Sequence, residues 1–176
     1  MPDDQPHDPE RLRAWGNELI RMHDLFRDDL AAIRRDSAHG RNTAKPVESA
    51  LRTRCVTFCT ELHAHHTMED NALFPHLDQE HPELANVLQT LRNEHTIIAR
   101  LLNDIESALD DPDTSDIDTE LTRMSTELDA HLDYEEQQLV PVLNRLTSLP
   151  TDDIQREEDR LGETAATLRH RAEPDL

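Results

Sequence analysis

The chain is poor in the residues from which sheets, tight turns and disulfide scaffolds are built: three glycines, two cysteines, one tryptophan, one tyrosine and three phenylalanines in 176 residues. So few glycines, with few β-branched or aromatic runs, leave little material for strands, and the expected fold class is all α. Basic residues are scarce too, 18 against 38 acidic ones, giving a formal net charge of -20. That balance argues against nucleic acid or an anionic membrane as a partner, since both select a basic face. Metal ions and other cations are the natural company. There is no run of about 18 apolar residues, and no basic segment leading into an apolar one at the N-terminus, so a cytoplasmic protein without a membrane partner is expected. Cys55 and Cys59 lie four apart on one expected helix, where geometry discourages a disulfide. Each is read as a small hydrophobe.

Apolar content is also low. Leu, Ile, Val and Phe supply 39 of 176 residues, about 22%, close to the level at which highly charged chains stay disordered. Order then depends on tight helical patterning, with help from bound metal. The length suits one domain with its own core.

Apolar residues at helical spacing mark four long helices. The first runs from about Pro9 to Asp36, with Leu12, Leu19, Phe26 and Leu30 on the stripe that carries His23. A connection from Ser37 to Pro46 precedes a second helix from Val47 to Leu73, which Pro75 would end. Pro75 and Pro82 bracket a short link to a third helix, Pro82 to Leu109, in which Leu84, Leu88, Leu91, Ile98 and Leu102 surround His95. After an acidic loop from Asp110 to Asp118, a fourth helix covers Ile117 to Leu146 and contains Pro141. Long helices with short connections give an antiparallel up-down-up-down four-helix bundle. It would occupy residues 9–149, between a loose tail at 1–8 and a C-terminal helical appendage at 150–176. In that appendage Ile154, Leu161, Ala165 and Leu168 could form a fifth amphipathic helix, as a surface element or an oligomer contact.

Two segments carry the same chemistry. His65, Glu69, Leu73 and Pro75 recur as His131, Glu135, Leu139 and Pro141, each offset by 66 residues. A His and a Glu four apart share one helix face, because four residues turn the helix only about 40° beyond a full turn. One further His on an apolar stripe precedes each pair, His23 and His95. Neutral imidazoles and carboxylates suit Fe, Mn or Zn, and a carboxylate can bridge two cations. A single buried His is commonly a hydrogen-bonded core residue, and a single His-x-x-x-Glu an exposed helical pair. Four imidazoles and two carboxylates in one apolar bundle would be costly without a metal. The pattern therefore points to a two-metal site held by His23, His65, Glu69, His95, His131 and Glu135.

His66 rivals His65, since Asp70 follows it at the same spacing. Alignment with the second segment selects His65 and sends His66 elsewhere, to a position outside the ligands. Asp70 and Glu136, each following a ligand glutamate, read as solvated or N–H-accepting carboxylates, or as substitute ligands. Tyr134 reads as core or interface and Trp15 as a core anchor. The Glu-x-x-His of ferritin-like di-iron bundles is absent from the sequence, as are His-Glu-x-x-His, Cys-x-x-Cys, a phosphate-cradling Gly loop and Gly-x-Ser-x-Gly.

With His-His-Thr-Met-Glu-Asp followed by Leu-Phe-Pro, and His-Leu-Asp-Tyr-Glu-Glu followed by Leu-Val-Pro, the chain from about Leu19 to Leu146 resembles the hemerythrin-like family, also called the HHE cation-binding domain. The resemblance implies a non-haem di-iron centre, oxo- or hydroxo-bridged, with the same six residues as ligands. Respiratory members carry a second third-helix His where this chain has Ala99, so the pattern looks like the bacterial branch, with an additional open coordination position. That favours binding or sensing of O2, NO or H2O2 over simple oxygen carriage. The alternatives are a di-iron oxidoreductase, for example in peroxide disproportionation or stress defence, and a weaker reading as a metal-ion buffer. Zn or Mn could substitute for iron, because affinity alone seldom selects it.

Overall fold

The computed structural model describes the backbone of residues 9–40, 46–111, 116–146 and 149–172, and the side chains of 15–39, 49–111, 116–146 and 149–161. The tail expected at residues 1–8 lies outside the described residues. Helices α1 (Pro9–Gly40), α2 (Pro46–Met68), α3 (Phe74–Glu80), α4 (Ala85–Asp110), α5 (Ile117–Leu143) and α6 (Thr151–Ala172) account for nearly all of them, with no strand among the described residues. The chain is an all-α helical bundle.

Contacts between helices descend one as they climb the other. Along α1, His23 meets His65 of α2 and Asp36 meets Arg54, so these two run antiparallel. Arg27 reaches Asp133 and Arg34 reaches Ser125, which sets α5 antiparallel to α1. Glu94 meets His131 and Asp104 meets Arg123, giving the same relation for α4 and α5. Near the start of α1, a Cβ on Gly16 would collide with the Asn144 amide and stand 3.0 Å from Val140 Cγ1, so the missing side chain permits close approach to the end of α5.

Two elements depart from the sequence expectation. The connection expected from Ser37 begins later, since α1 continues to Gly40. Ser37 continues the buried stripe of Leu30 and Ile33, and its hydroxyl donates to Asp118 of α5. Nor does Pro75 end the second helix. A five-residue π-helix, Glu69–Leu73, joins α2 to α3, with the Phe74 N–H bonded to the Glu69 carbonyl. Proline lacks the N–H and crowds the preceding turn, and the wider π-turn carries the chain past it into α3. The short link is therefore only His81 and a 3-10 turn, Pro82–Leu84, ahead of α4. Pro141 lies inside α5, two residues before its last residue.

The bundle holds two apolar cores. One gathers Phe26, Leu30, Ile33, Phe58, Leu62, Ile98, Leu121, Met124, Leu128 and Leu132, together with Cys55 and Cys59. Burial pushes the Cys55 thiol up to about 11 and the Cys59 thiol up to about 12, so both remain protonated, apolar fillers. The other core gathers Leu19, Leu73, Phe74, Leu77, Leu88, Leu91, Leu139 and Val142, with Tyr134 packed against it. Trp15 is only half-buried and lies in neither core. Each main helix passes from one core to the other through a short polar interval: residue 23 between Leu19 and Phe26, 65–69 between Leu62 and Leu73, 95 between Leu91 and Ile98, 131–135 between Leu128 and Leu139. Helix α6 packs on α2 and the π-turn, with Ile154 buried and Glu157 accepting from Asn71 at 3.2 Å.

Candidate metal centre

Between the two apolar cores the four main helices bury His23, His65, His66, Glu69, His95, His131 and Glu135 in one layer. Glu69 and Glu135 are fully shielded from solvent, at 0% exposure, and a carboxylate there demands a counter-charge. The six residues expected from the sequence are brought together. His66, expected to point elsewhere, is buried in the same layer beside them.

The histidines are aimed by carboxylates on neighbouring helices. Nδ1 of His23 stands 2.9 Å from Glu136, Nδ1 of His95 stands 2.9 Å from Asp70, and Nδ1 of His131 stands 2.9 Å from Glu94. A carboxylate only accepts, so each of these rings donates from Nδ1 and presents the Nε2 lone pair to the interior. Glu136 is itself held by Arg27 at 2.8 Å. Asp70 and Glu136 are thus N–H acceptors, the first of the two roles open to them in sequence. Glu94 has no counterpart in the repeat and no sequence pattern that marks it. His65 has no such carboxylate on Nδ1, which is buried without a partner.

Lone pairs therefore converge with almost no donors among them. Glu69 Oε1 lies 3.1 Å from His65 Nε2, and its Oε2 lies 3.5 Å from His95 Nε2. Glu135 Oε2 stands 3.6 Å from His23 Nε2 and 3.5 Å from His131 Nε2. Both carboxylates thus face two groups at once. One ligating atom from each of His23, His65, Glu69 and Glu135 lies within 4.8 Å of the others, and the same holds for His66, His95 and His131. Nε2 of His95 and of His131, and both oxygens of Glu69 and of Glu135, have no hydrogen-bond partner.

Electrostatics agree with that census. Burial, reinforced by the neighbouring imidazoles and Arg27, drives His23 down to about 2, and burial with His95 and His65 drives His131 to about 3. Burial also lowers His65 and His66. The same desolvation raises Glu69 to about 7 and lifts Glu135 well above the carboxylate range, where the Glu69 charge adds to it. Neutral imidazoles and carboxyls that resist ionisation describe a site short of positive charge, and a dication supplies it. The donor set of imidazole nitrogen and carboxylate oxygen fits iron, manganese or zinc.

A cavity of about 430 Å³ opens beside this layer, a size typical of small-ligand pockets. Met22, Leu25, Phe26, Ala64, Met68 and Leu161 give it a mostly apolar wall, and His65 lies on its lining. Helix α6 contributes Glu158 and Leu161 to the same wall, so the C-terminal segment borders the site.

Why the sequence singled out His65 but not His66 follows from the repeat. The residue matching His66 in the second segment is Leu132, itself fully buried. The position is interior in both halves, so a histidine there turns inward; the identity of Leu132 carried that signal.

Residues 17–143 match the hemerythrin HHE cation-binding domain. No curated protein and no solved structure matches the chain.

Proposed function

The chain belongs to the hemerythrin HHE cation-binding domain family, and on that premise we propose that it holds two iron ions at a carboxylate-bridged, non-haem centre that binds or senses a small ligand such as O2, NO or peroxide. His23, His65, Glu69, His95, His131 and Glu135 are its ligands in this reading. The observation that carries it is the placement of Glu69, one oxygen toward His65 and the other toward His95, with neither oxygen hydrogen-bonded. The candidate ligating atoms fall into two groups, His23, His65, Glu69 and Glu135 in one and His66, His95 and His131 in the other, so two cations would be held by residues of this layer more readily than one.

The small-ligand part rests on the apolar cavity against His65. A neutral diatomic molecule partitions into such a wall more readily than a charged substrate. No helix among the described residues is long and apolar enough to cross a membrane. When bound, the iron ions supply the redox and ligand-binding chemistry. The residues of the chain hold the imidazoles in one tautomer through Asp70, Glu94 and Glu136, and exclude bulk water with the two apolar cores.

The test is to reduce iron-loaded protein under argon and expose it in turn to O2, NO and peroxide. A spectrum that changes with at least one of them supports the reading, and an unchanged spectrum with all three contradicts it. Sustained peroxide consumption would assign the centre to oxidoreduction instead of binding. Many loose, exchangeable ions in place of two tight ones would assign it to metal buffering.

A further inference from the structure

His66 is buried to 5% exposure, and its Nε2 has no hydrogen-bond partner. Its ring stacks on His95 with centroids 4.1 Å apart and planes 12° from parallel, and meets His131 edge-on at 5.1 Å. The ligating atoms of these three imidazoles lie within 4.8 Å of one another, as a group separate from the His23, His65, Glu69 and Glu135 group. We propose that His66 is a fifth imidazole ligand, so that one ion is held by His66, His95 and His131 and the other by His23 and His65, with Glu69 and Glu135 between them. The proposal rests on the two-metal reading above.

The alternative is a histidine that merely packs. A packed histidine normally satisfies both ring nitrogens, because a buried N–H or lone pair without a partner forfeits the hydrogen bonds it made to water. Whichever tautomer His66 adopts, Nε2 is left wanting. If protonated, it carries an N–H with nothing to receive it; if not, it adds one more lone pair to a layer already full of them. A cation beside His95 and His131 resolves the second case and orders the stack. His65 and His66 are adjacent, so on an ideal helix they point about 100° apart and can flank two ions from one element. Where the second segment offers one imidazole and Leu132, the first offers two.

An unequal division has a consequence for ligand entry. The three-imidazole ion, with an oxygen from each carboxylate near His95 and His131, has the fuller set. The ion with two imidazoles has fewer protein donors, and His65, one of those two, is the imidazole that borders the apolar cavity. The more open position therefore lies on the cavity side.

The experiment titrates metal-free, full-length protein with Zn(II) against a chelator of known affinity, in wild type, His66→Leu and His63→Ala. Leu is the residue at the matching buried position of the second segment, so His66→Leu retains a packed layer, and the exposed His63 controls for loss of a histidine from the same helix. Two ions in wild type, two in His63→Ala, and a tenfold or greater weakening of one of them in His66→Leu support the proposal. Two ions of unchanged affinity in His66→Leu overturn it while leaving the two-metal reading intact. Fewer than two ions in wild type overturn both. Independently of any variant, the histidine ¹⁵N spectrum of Zn(II)-loaded wild type should show metal-shifted nitrogens on five rings, His66 among them. A His66 ring unshifted by metal overturns the assignment.

Discussion

The Asp70 carboxylate stands 2.9 Å from Nδ1 of His95, joining the residue after one buried glutamate to an inward imidazole on another helix. The same arrangement recurs at the second glutamate, where Glu136 follows Glu135 and holds His23 at 2.9 Å. Each Glu-acid pair thus does two jobs from adjacent positions, one residue entering the layer and the next orienting a ring across the bundle. Such partners fix tautomer and direction and raise the basicity of the ligand nitrogen.

Removing that orientation should weaken metal binding without unfolding the chain. Asp70→Ala and Glu94→Ala are each expected to lower metal affinity about 10–100-fold, with helicity by circular dichroism unchanged. The exposed Asp129→Ala should leave affinity as it is. Chelator competition measures all three.

Glu69 is expected to burden the metal-free protein. Its carboxyl is raised to about 7 from an ordinary 4.5, chiefly by burial. The folded state therefore holds its proton more tightly than the unfolded chain, so its favourable contribution is complete below pH 4.5 and is lost as pH rises toward 7. Glu69→Gln keeps the shape and removes the ionisation. Its metal-free melting midpoint should exceed that of wild type at pH 8 and converge with it near pH 4.5, while the stabilisation by added metal is lost. Scanning calorimetry at the two pH values checks both parts.

The four helices and the six expected residues of the layer were legible because an apolar stripe and an i,i+4 His–Glu pair are properties of one helix. What crosses between helices was not. Glu94 orients His131 from another element, and nothing in its local pattern marks it. Residue identity alone does not pair His66 with Leu132 across the repeat, whereas the burial of Leu132 shows that the position faces inward. The π-turn at Glu69–Leu73 defeated the proline rule, since a wider turn absorbs what an α-helix cannot.

Metal uptake should weaken as pH falls through about 7, and the carboxylates should be responsible. The folded His23 and His131 sit at about 2 and 3, so they are already neutral and release no proton on binding. Glu69, at about 7, and Glu135, lifted well above the ordinary carboxylate range by burial and the Glu69 charge, must give up theirs. Calorimetry in buffers of different ionisation enthalpy should find more protons released per ion at pH 6 than at pH 8.

Filling the cavity should slow small ligands without touching the ions. Ala64 lines its wall beside His65, and Ala64→Phe narrows the way in. The rate at which reduced, iron-loaded protein reacts with NO should fall at least tenfold, with iron content unchanged. Stopped-flow absorption gives the rate.

The two ions proposed to be coupled through Glu69 and Glu135 are probed most directly by iron content together with EPR of the oxidised, desalted protein. Two irons per chain and almost no signal from isolated ferric ions are expected, because spins bridged by shared ligands pair. One iron per chain, or an isolated-ferric signal that accounts for all the iron present, would contradict that coupling.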